Sequence, residues 1–272
     1  MSRLKRFLAV FPSLAKDWRA CARLSADARS AVRLGLDFAL SRFLFRSRDN
    51  QLRPPRKIRL KGGIELCYRL NKGDLHGIRE VWFDEAYRLP FADPSGALLD
   101  LGANIGLTSV WLAKQYPFDR VIAVEPDPSN AHLVRRNLEL NGINGEVIEA
   151  AIGPHEGLAR FESSHSSNLG RLSEHGVPVA MTTVPAILDK AGISRLGLVK
   201  IDIEGGEQQL FDSSTDWLAS TDAIIAEFHP ALADCSRIVE TISSRGFDYI
   251  PSNSVFPDNM ESFKSNGRPA NQ

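Results

Sequence analysis

The chemistry-bearing residues of this chain gather in three short runs. The first is Asp100-Leu101-Gly102-Ala103-Asn104-Ile105-Gly106, set between an apolar stretch and a helix-like one. Gly102 lets the chain turn and lets a ligand approach the backbone, and Gly106 lets the following helix pack close. Asp100 offers a carboxylate to a cationic ligand end. The second run is Glu125-Pro126, which ends the apolar stretch Val121–Val124 and lies 23 residues after Gly102. A carboxylate at the end of the second strand of such a unit can accept two hydrogen bonds from a ribose diol. Its structural alternative is a helix N-terminal carboxylate ahead of Asp127-Pro128-Ser129.

The third run is Lys200-Ile201-Asp202-Ile203-Glu204-Gly205-Gly206-Glu207, with Glu227-Phe228-His229 at the end of the next strand. Strand alternation puts Lys200, Asp202 and Glu204 on the face opposite Ile201 and Ile203. Three ionisable groups there are costly unless paired or solvated. A Lys200–Asp202 pair with a glycine turn is the structural alternative. The chemical reading makes Asp202, Glu204 and His229 candidate catalytic groups, able to take a proton from a nucleophile. Asp202, Glu204, Glu227 and His229 are also donors suited to Mg²⁺ or Mn²⁺. A divalent cation is the less favoured reading, and no metal site is assigned.

Other chemistries find no support. A nicotinamide dinucleotide needs G-x-G-x-x-G, and Asn104 and Leu107 occupy the second and third glycine positions. An NAD-dependent oxidoreductase is therefore a rival of low standing. Walker A, G-x-S-x-G and H-E-x-x-H motifs are absent. Cys21, Cys67 and Cys235 stand far apart without a C-x-x-C pair. That spacing argues for packing roles and a reducing, cytoplasmic compartment.

The elements that must position these groups read as an α/β layered domain. Strands are expected at 97–101, 120–124, 146–150, 158–162, 179–184, 197–203, 223–228 and 247–250. Helices are expected at 77–89, 107–115, 129–141, 208–212 and 231–245. Residues 57–70 read as a hairpin turning at Gly62-Gly63. The polar loop Ser163–Asn168 has two readings, a border of the substrate site and a flexible loop, and residues 257–272 read as a flexible tail.

The 272 residues are ordinary in composition, with 43% hydrophobic and 24% charged residues and zero formal net charge. The charge is unevenly placed. Met1–Lys61 holds sixteen Lys and Arg against four Asp and Glu, and the rest holds seventeen against twenty-nine. Residues 1–56 read as a basic helical extension, and residues 57–256 as the domain, with 57–96 ahead of the core at 97–256. The extension is read as solvated helices, with residues 1–50 as a peripheral membrane contact in the sharper reading. No aromatic interleaving suits base stacking, so no nucleic-acid partner is expected. A non-catalytic module docking a membrane or RNA is the remaining rival.

The motifs D-L-G-A-N-I-G, V-E-P, A-I-G at Ala151-Ile152-Gly153 and K-I-D-I-E-G-G-E resemble the FkbM family of S-adenosylmethionine-dependent methyltransferases, over roughly residues 58–230. The resemblance implies the class I methyltransferase fold, a Rossmann-like, seven-stranded, mostly parallel sheet with one reversed strand near its edge and helices on both faces. It implies that Asp100, Gly102, Ala103, Asn104 and Gly106 wrap the methionine and ribose of S-adenosylmethionine. Glu125, with Pro126, would hold the ribose hydroxyls, and the turn with Ala151 would lie along the adenine. The expected reaction is methyl transfer to an oxygen of a sugar, glycan or glycolipid. A polyketide-like hydroxyl is the alternative.

Overall fold

The computed structural model describes residues 3–44, 54–91, 94–162, 171–172, 175–251 and 260–267. The loop Ser163–Asn168 lies outside the described residues. Among the described residues the chain opens with a helical hairpin, α1 (Arg3–Leu24) and α2 (Ala28–Leu44), followed by the β-hairpin β1 (Arg56–Leu60) and β2 (Ile64–Tyr68). Gly62 and Gly63 turn that hairpin with φ of 77° and 74°, a conformation that glycine adopts without steric cost.

Next comes α3 (Lys72–Ile78), whose first turn is capped by Asn71, its side chain accepting from the Asp74 N–H at 2.7 Å. The helix passes directly into a π-helical turn, Arg79–Phe83. The helix expected at 77–89 is thereby corrected: the Asn71 cap starts it earlier, and Glu85, at φ 54°, ends it.

The core alternates β3 (Gly96–Leu101), α4 (Leu107–Gln115), β4 (Phe118–Val124), α5 (Pro128–Leu140) and β5 (Gly145–Ile148). A side sheet follows from β6 (Ala151–Ile152), β7 (Gly157–Glu162), β8 (Arg171–Leu172) and β9 (Val177–Thr182), in the order β6-β9-β7-β8. Then come α6 (Val184–Ala191), β10 (Leu196–Ile201), α7 (Glu207–Asp212), β11 (Ala223–Glu227), α8 (Cys235–Ser244), β12 (Phe247–Tyr249) and β13 (Met260–Ser265). Thr183 caps α6, accepting from the Ala186 N–H, with Pro185 in the first turn. That Thr-x-Pro start signal was legible, but residues up to 184 read as strand.

The main sheet has the order β12-β13-β11-β10-β3-β4-β5. Every pairing among β11, β10, β3, β4 and β5 is parallel, and only β13 is reversed. This is the seven-stranded, mostly parallel sheet expected. The expectation of a flexible tail is corrected at its centre, where β13 inserts between β11 and β12 and buries Phe263 completely. A polar-looking segment becomes a strand because two parallel strands offer it both edges.

Both sheet faces are covered. One face packs under the N-terminal hairpin, α3, α4 and α5, through Leu98, Val121, Leu198 and Ile225. The other packs under α6, α7 and α8, through Leu99, Ile122, Val199 and Ile224. Burying each such side chain contributes about 1.5–3 kcal/mol. The chain reverses its winding between β3 and β10, and ligands of open α/β sheets bind outside the carboxyl ends at such a switch point.

Candidate functional site

A cavity of about 570 Å³ opens at that switch point, within the roughly 300–1,000 Å³ range of small-molecule sites. Gly102, Ala103 and Asn104 from the β3 loop line it, with Glu125 and Pro126 from the end of β4 and Ala150, Ala151 and Ile152 at β6. Asp202, Glu204, Glu227 and His229, from the turn after β10 and the end of β11, also line it. Nine of the eleven site residues singled out from sequence, Asp202, Glu204 and His229 among them, thus meet around one volume.

Asp100 and Gly106 do not line the cavity. Asp100 is fully buried beneath the loop, accepting from the Ser109 hydroxyl and facing the Lys200 ammonium at 3.1 Å. The parallel register that sets Asp100 opposite Lys200 dictates this. Gly106 packs on α5, where a Cβ would come within 3.1 Å of Val134. At Gly102, with φ 78°, a Cβ would lie 1.8 Å from the Asp202 carbonyl oxygen. That glycine therefore brings the β3 and β10 loops together, a reason beyond ligand access.

Glu125 is 5% exposed. One carboxylate oxygen accepts from the Asn104 N–H at 2.8 Å. The other accepts from the Asp127 N–H at 3.0 Å and the Asn130 amide at 3.3 Å. Burial pushes its pKa up to about 8, against the pull of these bonds. Asp127, not Glu125, caps α5, so the helix-cap alternative for Glu125 falls away. Two oxygens offer about four acceptor positions, so acceptor capacity remains beyond the three protein donors.

Lys200 ties the two loops. Its ammonium donates to the Gly102 carbonyl at 2.7 Å, and it sits 3.8 Å from Asp202. Burial works against its charge, but Asp100 and Asp202 outweigh this and raise its pKa. The Lys200–Asp202 pairing weighed from sequence thus exists, with Asp100 the nearer partner. Tyr87, from the segment before β3, donates to Asp202 at 3.3 Å.

The turn after β10 presents Glu204 in the left-handed region, φ 51°. For a non-glycine residue this conformation is uncommon and costs roughly 1–3 kcal/mol. Its carboxylate lies 3.3 Å from His229 Nε2, while His229 Nδ1 lies 2.8 Å from the fully buried Glu207. The Glu207 hydrogen bond, ahead of burial, holds the His229 pKa up at about 9. Burial, then Asp202, lifts Glu204 to about 8 and Glu227 to about 7. The donor atoms of Asp202, Glu204 and His229 all lie within 4.8 Å of one another.

Sequence reasoning left Glu207 as motif context and missed the wall formed by Lys72, His76, Glu80 and Val81. Glu207 carried a signal, the acidic residue opening a helix after two glycines. The other wall carried none, because α3 and the π turn set which side chains face the cavity. Glu149 pairs outward with Arg135 and does not line it.

Residues 100–249 match the methyltransferase FkbM domain family. The chain is 23% identical over 198 residues to "Methyltransferase 1" of Beauveria bassiana, covering 62% of this chain and 79% of that protein. It is 22% identical over 233 residues to the "31-O-demethyl-FK506 methyltransferase FkbM" of Streptomyces tacrolimicus, covering 71% and 89%. The crystal structure of methyltransferase FkbM from Methylobacillus flagellatus is 14% identical, with a TM-score of 0.45, covering 96% of this chain; this chain spans 60% of that one. The family match takes in more than half of the sequence, and the chain belongs to the FkbM family of S-adenosylmethionine-dependent methyltransferases.

Proposed function

We propose that this methyltransferase methylates a hydroxyl of a polyhydroxylated acceptor, a sugar, glycan or glycolipid, in the cytoplasm or at the inner face of a membrane. The observation that carries the reading is the acidic lining of the cavity, to which Glu80, Asp202, Glu204 and Glu227 contribute. Ionised carboxylates accept and protonated ones also donate, so this lining can pair with several hydroxyls of a polyol at once.

S-adenosylmethionine supplies an electrophilic methyl group on a sulfonium, which needs little activation. The lining fits it: the cavity is large enough, Glu125 retains acceptor capacity, and the buried Asn104 Oδ1 and Asp202 Oδ1 have no hydrogen-bond partner among the described residues. In this reading Gly102, Ala103, Asn104, Glu125, Pro126 and Ala151 hold the donor, and Asp100 and Gly106 hold the loop that does so.

The chain's own chemistry is proton removal and alignment. Glu204 would take the acceptor's hydroxyl proton as the C–O bond replaces the donor's methyl–sulfur bond, whose electron pair stays on sulfur as the neutral thioether leaves. His229, held by Glu207 and charged below about pH 9, positions Glu204. Asp202, beside Lys200 and Tyr87, offers negative charge to the cationic donor. A positioned base contributes about 10²–10⁴-fold, and alignment roughly 7–11 kcal/mol.

Two observations favour second readings. The three donor atoms within 4.8 Å of one another suit a divalent cation, in which case EDTA abolishes turnover and Mg²⁺ restores it. The Streptomyces relative is named for a demethylated FK506 acceptor, which favours a polyketide-like hydroxyl. The deciding experiment incubates the purified protein and S-adenosylmethionine with glycan, glycolipid and polyketide fractions. Mass spectrometry should find one added CH₂ on a sugar ring. Modification confined to polyketides would replace the acceptor assignment, and modification confined to amines would overturn the role of Glu204.

A further inference from the structure

The N-terminal helical hairpin turns its acids inward. Asp17 pairs with Arg79, and Asp27 with Arg59 at 3.1 Å. Asp37, 1% exposed, holds Arg56 and accepts from the Tyr68 hydroxyl at 2.7 Å. What the described part of the hairpin leaves in solvent is basic and apolar. Lys16, Arg19, Arg23 and Arg29 are exposed. Val32, Leu36 and Leu40 recur every fourth residue on α2 and are 49%, 49% and 37% exposed. Trp18 of α1, 37% exposed, lies against Gly35, where a Cβ would meet its ring at 2.7 Å. The bulky indole therefore sits at the seam of the two helices, next to the residue that precedes Leu36.

A row of three large apolar residues joined by an exposed tryptophan is not scattered surface hydrophobicity. Exposed Arg29, three residues before Val32 on α2, shares the helical face of the stripe, which marks the patch as surface and not as a missing piece of core. Beside α1 a cleft of about 260 Å³ is lined by Lys16, Arg19, Arg23 and Arg79 against Asp17 and Asp84. Asp17 is already committed to Arg79. We propose that this face of the α1–α2 hairpin docks on an anionic lipid bilayer, the Val32-Leu36-Leu40 stripe and Trp18 entering the interface and the flanking cations meeting lipid phosphates.

An amphipathic helix with arginines beside an apolar stripe binds by buried area plus attraction to anionic headgroups. No described helix is long and apolar enough to cross a membrane, so the contact is peripheral. The hairpin touches elements that line the cavity: α2 packs against α3, whose His76 and Gly77 line it, and Asp17 of α1 pairs with Arg79 beside Glu80. The surface stands whichever hydroxyl is methylated.

The test is co-sedimentation of the full chain with vesicles of phosphatidylcholine, with and without about one-third phosphatidylglycerol, near 0.1 M salt. Binding is expected only to the anionic vesicles. Arg19→Gln and Arg23→Gln should each weaken it roughly fivefold. Leu36→Glu combined with Leu40→Glu should abolish it. S-adenosylmethionine titration in the same variants should be unchanged, which keeps loss of fold apart from loss of docking. Failure of the wild type to pellet with anionic vesicles, or equal pelleting of the Leu36/Leu40 variant, overturns the proposal. So does a lipid-free dimer, by analytical ultracentrifugation, that the same double variant dissolves, since the stripe would then be a self-contact.

Discussion

At the scale of single residues, the acidic lining of the cavity makes sharp demands. Glu204→Gln removes the proposed base and should lower kcat by about 10²–10⁴-fold, with donor affinity held within a few-fold by calorimetry. The wild-type kcat/KM should rise with pH through about 8, as the carboxyl lifted by burial and Asp202 loses its proton. The His229 charge pulls that pKa down, so His229→Asn should move the rising limb to higher pH. A flat profile in the wild type would remove Glu204 from the reaction. Gly102→Ala tests a different physics. Its Cβ would meet the Asp202 carbonyl at 1.8 Å in a left-handed conformation, and a urea melt should show a loss above about 4 kcal/mol, in the range reserved for severe backbone conflicts.

At the scale of elements, two loops and one late strand decide whether a site exists. The β3 and β10 loops are joined by Lys200, whose ammonium bonds to the Gly102 carbonyl while facing Asp100 and Asp202. The π turn after α3 sets Glu80 and Val81 on the cavity wall, and π turns are frequent at functional sites. Strand β13 completes the sheet between β11 and β12. Phe263→Ala, at a fully buried position, should cost about 3–5 kcal/mol by thermal or urea unfolding. A loss under 1 kcal/mol would mean that the strand is dispensable.

At the scale of the whole molecule, the N-terminal hairpin is part of the fold as well as a surface. Asp37 anchors it, so Asp37→Ala leaves the buried Tyr68 hydroxyl without its acceptor and should cost about 1–3 kcal/mol, read as a lower urea midpoint with an unchanged slope. The buried carboxyls also set a pH dependence. Glu125 is raised from 4.5 to about 8, first by burial, so the folded state favours its proton. The stability from this group is fully present below about pH 4.5 and is lost as pH rises through about 8. The Tm of the ligand-free protein should therefore fall from pH 5 to pH 8, and Glu125→Gln should flatten that slope. An unchanged slope in the variant would show that other groups carry it.

Much was determined by sequence alone, because local rules suffice for it. The apolar runs and glycine turns specify the core strands and helices from β3 to β5 and at β10 and β11, and D-L-G-A-N-I-G with K-I-D-I-E-G-G-E marks the family and the sheet it requires. The tertiary structure alone decided what each polar group faces. Parallel register, not spacing, set Asp100 against Lys200 and took it out of the cavity. Packing against β11 and β12 made a strand of a segment with tail-like composition. The His229–Glu204 and His229–Glu207 contacts join residues more than twenty positions apart. Such juxtapositions depend on how strands stack side by side, and no window along one strand contains that information.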